Sequence, residues 1–201
     1  MRIISGQARG RTLYSPGQSK TIRPTADRAK EAIFSIIGER IVSALVLDLF
    51  AGTGALGLEA WSRGARQVVF VDHHGKALEL IRKNCSLCLQ NMDPSLQEAL
   101  IIIKHDLRRG LNLKFRKNPA PPFFDLIFLD PPYGKGLAKE TLENINNSDL
   151  CGPNTLIIAE ETSGEVLPDS FSHLVLSDHR RYGDTAFWFY TPKEIRQHSN
   201  I

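Results

Sequence analysis

Short apolar runs that alternate with helical patterns, several of them closing on an acid, constrain this chain more than any other feature. Leu45 to Phe50 runs into a glycine-rich turn, Val68 to Val71 closes on Asp72, Leu100 to Ile103 leads to Asp106, and Phe124 to Leu129 closes on Asp130. Thr155 to Ala159, Leu174 to Leu176 and Thr185 to Tyr190 are three further runs of strand character. Between the early runs lie helical stretches, about Ala55 to Arg63, which stops at Gly64, and about Lys76 to Gln90. Strands this short and this uniformly apolar are buried on both faces, as in a parallel sheet covered by helices. The last two runs have no helical pattern between them and should pair antiparallel at one edge. An earlier helix is marked by Ala29, Ala32, Ile33, Ile36 and Ile37, at helical spacing, with Gly38 at its end. Thr25 is placed to cap it, and Asp27 to sit in its first turn.

At 201 residues the chain fits one domain with a short appendage. The reading divides it into a basic N-terminal arm and helix (1–40), a catalytic domain (41–192) and a C-terminal tail (193–201). No apolar run reaches the roughly 18 residues of a membrane span, and the opening residues carry no basic-then-apolar leader. Three cysteines, an odd number, fit a reducing compartment. A cytoplasmic monomer is expected. Net charge is only +3, yet residues 1 to 40 hold eight basic and three acidic side chains, +5 in all (8 − 3). A basic arm on a near-neutral body suits a polyanionic partner.

In an open parallel sheet, ligands gather outside the carboxyl ends of the strands. Asp48, Asp72, Asp106 and Asp130 all fall there. The turn Asp48-Leu49-Phe50-Ala51-Gly52-Thr53-Gly54-Ala55-Leu56-Gly57 contains G-x-G-x-x-G, with Asp72 about twenty residues on. That combination serves a dinucleotide as well as other nucleoside ligands. Asp48 weighs against a pyrophosphate, which it would repel, and for the cationic amino group of a methionyl moiety. Asp72 would then accept from ribose hydroxyls and Asp106 from an adenine amine.

Asp130-Pro131-Pro132-Tyr133 carries the chemistry. An exocyclic base amine is a poor nucleophile because its lone pair is delocalised into the ring. A carboxylate and a backbone carbonyl that accept both N–H bonds free that lone pair. Two prolines stiffen the turn that aims these acceptors, and Tyr133 offers a π-face to an extruded base. Cys85 and Cys88 form a C-x-x-C, but they share an apolar helix face with Ala77, Ile81 and Leu89, so both read as core residues; no metal is expected.

The loop and the Asp-Pro-Pro-Tyr motif resemble those of class I methyltransferases. More narrowly, the chain resembles the RsmD family of small-subunit ribosomal RNA guanine-N2 methyltransferases from residue 1 to about 190. Met1-Arg2-Ile3-Ile4-Ser5-Gly6-Gln7-Ala8-Arg9-Gly10-Arg11, Ile22-Arg23-Pro24-Thr25-Ala26-Asp27-Arg28 and Phe124-Asp125-Leu126-Ile127-Phe128-Leu129-Asp130 carry the likeness, as does Arg181-Tyr182-Gly183. The acid after the second strand, often Glu in that family, is Asp72 here, followed by His73. The resemblance implies an α/β, Rossmann-like fold with a seven-stranded, mostly parallel sheet, an antiparallel last strand and helices on both faces. It implies S-adenosyl-L-methionine as cofactor, held by Asp48, Phe50, Ala51, Gly52, Thr53, Gly54, Asp72, His73, Asp106 and Leu107. Asp130, Pro131, Pro132 and Tyr133 would hold the target base. Arg9, Arg11, Arg23, Thr25 and Arg28 would meet ribosomal RNA, within the small subunit or an assembly intermediate of it. An adenine-N6 methyltransferase, a nicotinamide oxidoreductase and a non-catalytic ribosome-assembly protein are the rival readings.

Overall fold

A computed structural model of the chain describes residues 1–16, 24–114 and 123–194. Its centre is a seven-stranded sheet: β1 (Leu45–Leu49), β2 (Gln67–Asp72), β3 (Leu100–Lys104), β4 (Phe124–Leu129), β5 (Cys151–Thr162), β6 (Leu174–Tyr182) and β7 (Thr185–Pro192), in the order β3-β2-β1-β4-β5-β7-β6. The first five run parallel, and β7 lies antiparallel between β5 and β6. The expected architecture is therefore present, including the hairpin at one edge. β1 is buried at every position and β4 at all but Asp125, which is why those runs read as continuously apolar rather than alternating.

Two core clusters sandwich the sheet. On one face α1 (Pro24–Ile37), α2 (Ala55–Ser62) and α3 (Gly75–Leu89) contribute Ile33, Phe34, Leu58, Trp61, Ile81 and Cys88 against Val46, Phe70, Phe128 and Ile158. On the other, Leu142 and Ile145 of α4 (Leu137–Asn146) pack on Leu47, Val69, Leu129 and Ala159. Helix α4 is not among the expected helices, although its buried Ala138, Thr141, Leu142 and Ile145 fall at helical spacing. Helix α1 starts at Pro24, which puts Thr25 inside the first turn rather than at the cap.

Residues 1–16 are not a free arm. Ile3, Ala8 and Leu13 are buried in the same cluster as α2 and α3. The amides of Ile4 and Ser5 donate to the Glu59 carboxylate (2.8 and 3.0 Å), and Ala8 donates to Ser62 Oγ (2.9 Å). Glu59, fully buried, is neutralised by Lys30 at 3.1 Å and Arg63 at 2.8 Å. A buried carboxylate tolerates such a site only when paired and hydrogen-bonded. Cys85 and Cys88 are buried as expected, and burial pushes their thiols up to about 12 and about 11. Among the described residues no group of His, Cys, Asp and Glu is arranged to hold a metal, and no helix is long and apolar enough to cross a membrane.

Candidate active site

The carboxyl edge of the sheet carries one acid per strand on four adjacent strands. β2 ends at Asp72, and its neighbour β1 carries Asp48. β4 lies beside β1 and is followed by Asp130; β5 lies beside β4 and carries Glu160. Side chains alternate across a strand. Phe128 and Ile158 face the α1–α3 cluster while Leu129 and Ala159 face the other. The next residues, Asp130 and Glu160, therefore turn toward the α1–α3 side, as do Asp48 and Asp72. A cleft of about 820 Å³ opens over them, lined by Asp48, Phe50, Ala51, Gly52, Thr53, Asp130, Tyr133 and Glu160 among others. A second recess of about 480 Å³ adjoins it, sharing Phe50, Gly52, Asp130 and Tyr133 and adding Asp72, His73, Pro131 and Pro132.

The glycine-rich loop leads from β1 into α2. Gly52 and Gly54 take φ of +55° and +77°, where a side chain is strained, and Phe50 is held in the same region at +57°. Gly57 is needed for space: a Cβ there would lie 2.4 Å from Phe70 and 2.9 Å from Asp48 Oδ2. Four of the loop's amides are already committed. Ala51 N–H donates to the Val71 carbonyl, Gly52 N–H to Asp72 Oδ2 (3.0 Å), Gly54 N–H to the Ala51 carbonyl and Gly57 N–H to Asp48 Oδ2 (2.9 Å). A phosphate-cradling loop keeps such donors free for its anion. Here two of the four hold carboxylates and two hold backbone carbonyls, and the main cleft shows any ligand Asp48, Asp130, Glu160 and Asp184. Lys30, the basic residue at its rim, is paired with Glu59. The donor set fits a cationic nucleoside such as S-adenosyl-L-methionine, whose ammonium and sulfonium both carry positive charge, and does not fit a pyrophosphate.

Burial raises the Asp48 carboxyl to about 7; the Gly57 amide opposes the rise and the Asp72 charge adds to it. Asp130 is solvent-exposed at the edge of the cleft. Desolvation by the protein around its carboxylate, then the charges of Glu160, Asp48 and Glu161, lifts its pKa well above the ordinary carboxylate value. Burial likewise raises Glu160, against the lowering effect of the Tyr133 hydroxyl that donates to its Oε1. Pro131 is buried, while the Tyr133 ring is 43% exposed and so presents a face to the cleft. Glu160 was missed in the sequence reading, although the same rule that singles out Asp130, an acid directly after a buried run, applies to it after Ala159.

Other expected contacts fall elsewhere. Asp106 does not line either recess: its carboxylate is bound by Arg108 at 2.8 Å through both Nε and Nη2, which pulls it down to about 2. Leu107 is buried in the sheet's opposite cluster. His73 lines the second recess, and His74 caps α3 by accepting from Lys76 N–H. Arg11 donates to the carbonyls of Leu87 and Gln90, the latter at 2.6 Å, and so closes the end of α3. Arg9 and Arg28 are exposed. Arg23 and the Thr25 side chain lie outside the described residues.

A family model described as Conserved hypothetical protein 95 matches residues 1–191. A protein of Haemophilus influenzae named Ribosomal RNA small subunit methyltransferase D is 37% identical over 161 residues, covering 80% of this chain and 78% of its own. Its namesake in Escherichia coli (strain K12) is 32% identical over 193 residues, covering 94% and 89%. The chain belongs to the RsmD family. Among solved structures, the RsmD-family fold matches yhhF from Escherichia coli, described as a candidate methyltransferase, with a TM-score of 0.74 and 28% identity over 96% of this chain and 98% of that one. The arrangement of carboxylates and glycine loop thus sits in a methyltransferase fold.

Proposed function

We propose that this protein transfers a methyl group from S-adenosyl-L-methionine to the exocyclic N2 of a guanine in small-subunit ribosomal RNA. The observation that carries the reading is the shared cleft: a glycine-rich loop with committed amides and an acidic face opens onto the same space as the Asp130–Tyr133 turn. The relatives named as small-subunit ribosomal RNA methyltransferases support the class of acceptor.

When bound, the cofactor supplies an electrophilic methyl on a sulfonium. Asp48 would hold its ammonium and Asp72 its ribose hydroxyls, and Phe50, Ala51, Gly52, Thr53, Gly54 and His73 would line its bed. Asp130 accepts one N–H of the target amine, and a backbone carbonyl of the Pro131–Pro132 turn accepts the other. With both N–H bonds held, the nitrogen lone pair is released from the ring and aimed. The carboxylate of Asp130, raised in pKa by its neighbours, is suited to take the proton that the methylated amine sheds. Tyr133 stacks on the extruded base. Arg9 and Arg28 meet phosphates, and the family resemblance adds Arg23 and Thr25 as RNA contacts.

The test is transfer of labelled methyl to unmodified small subunits, naked ribosomal RNA and duplex DNA, followed by digestion to nucleosides. Label in N2-methylguanosine is the expected result; label in N6-methyladenine moves the substrate to an adenine. Asp130→Ala is expected to lower turnover by at least about 10³-fold while cofactor affinity stays within a few-fold. A folded variant with near-normal turnover defeats the role assigned to Asp130.

A further inference from the structure

We infer that Glu160 is the residue that selects guanine, by reading the ring N–H beside the amine that Asp130 holds. The inference rests on the proposed methyl transfer to a base amine and adds the means of choosing the base. β4 and β5 are parallel neighbours in register at Leu129 and Ala159. Asp130 and Glu160 are the next residues on strands roughly 4.8 Å apart, and both line the same cleft. The Asp130 carboxylate makes no hydrogen bond to a described side chain or amide. Glu160 gives Oε1 to the Tyr133 hydroxyl, which leaves Oε2 without a partner among the described residues. Two acceptors therefore stand side by side, one of them oriented by the tyrosine that borders the base site.

Three bases carry an exocyclic amine. In guanine one of the two ring nitrogens beside it, N1, bears a hydrogen. In adenine (N1) and cytosine (N3) the ring atom beside the amine is a lone pair. A pair of carboxylates meets two donors on guanine, whereas on the other two the second carboxylate faces an acceptor and is repelled. A site built around such a hydrogen bond rejects a base that lacks the donor, because the docked base would cover the acceptor and leave it unpaired. Enclosure raises the pKa of both carboxyls, so holding both ionised is costly until two N–H donors arrive together; guanine alone brings them.

The decisive probe is 2-aminopurine, which keeps the amine at C2 but has a lone pair at N1. It would replace the target guanine in the RNA, naked or reconstituted into subunits, whichever form the wild-type enzyme methylates. Wild type is expected to prefer guanine over 2-aminopurine by on the order of 100-fold in kcat/KM. Glu160→Gln keeps an oxygen for Tyr133 and turns an N–H₂ toward the ring atom. It also removes one of a group of crowded like charges, so its fold and cofactor affinity should be retained, as melting and titration would show. The variant is expected to erase or reverse the preference. A wild-type enzyme that accepts 2-aminopurine as well as guanine overturns the inference alone, as does a Glu160→Gln variant with an unchanged preference. A wild-type enzyme that methylates no guanine overturns the proposed function, and this inference falls with it.

Discussion

Asp48 shows how burial tunes one side chain for its ligand. It is 2% exposed, it accepts the Gly57 amide, and burial with the Asp72 charge raises its carboxyl to about 7. Its charged neighbours across the sheet edge are Asp72 and Asp130. Below about pH 7 the folded protein holds a proton on Asp48 that the unfolded chain releases near the ordinary value of 3.8. The group's contribution to stability therefore falls as pH rises across that interval. The cationic ligand prefers the ionised form, so its affinity moves the other way. Calorimetric titration with S-adenosyl-L-methionine is expected to show binding tightening by up to about tenfold between pH 6 and 8, and Asp48→Asn should bind weakly with a flattened profile. Wild-type affinity that ignores pH over this range would contradict the role.

At the scale of elements, the closeness of α2 to the sheet sets the shape of the loop. Gly57 lets the helix approach Val68 and Phe70, and a Cβ there would come within 2.8 Å of the first and 2.4 Å of the second. Both neighbours are fully buried, so neither can swing away. Gly57→Ala is expected to cost about 2 kcal/mol by overpacking, read as a lower melting temperature, and to weaken cofactor binding because the Asp48 bond shifts with it. Gly75→Ala is the control: a methyl there meets nothing within 4 Å at the start of α3, and stability should be unchanged or raised by up to about 1 kcal/mol. Equal loss in the two variants would mean that helix packing does not set the loop.

Over the whole molecule, the basic N-terminal segment serves the core before it serves any partner. Deleting residues 1–22 would strip Ile3, Ala8 and Leu13 from the cluster and uncover Glu59, so a truncation would report on stability rather than on RNA. Exposed Arg9 and Arg28 give the cleaner test. Substituting both by Ala should leave the melting temperature within about 1 °C. It should also lower the slope of log affinity for ribosomal RNA against log salt by about 1 per lost phosphate contact. An unchanged slope would place the RNA surface elsewhere, for instance on the exposed Arg180 and Arg181 of β6 beside the cleft-lining Tyr182.

What the sequence determined by itself is what depends on neighbours along the chain. Period and length identify five parallel strands, three helices and the closing hairpin, because buried runs and helical spacing are local patterns. The turn from Asp48 to Gly57 and the Asp130–Tyr133 motif are legible for the same reason, since each is a contiguous stretch whose chemistry needs those residue types. Tertiary structure alone decided the contacts between distant segments. It set Glu160 beside Asp130 through hydrogen-bond register between β4 and β5. It bound Arg11 to the carbonyls of Leu87 and Gln90 at the end of α3. It folded the N-terminal segment over Glu59 through backbone amides, groups that every residue carries and no side-chain pattern reveals. A charge in the sequence states only what a residue can bind; which partner reaches it first is settled by packing, because a buried donor or acceptor must be satisfied inside the fold before any remainder is offered to a ligand.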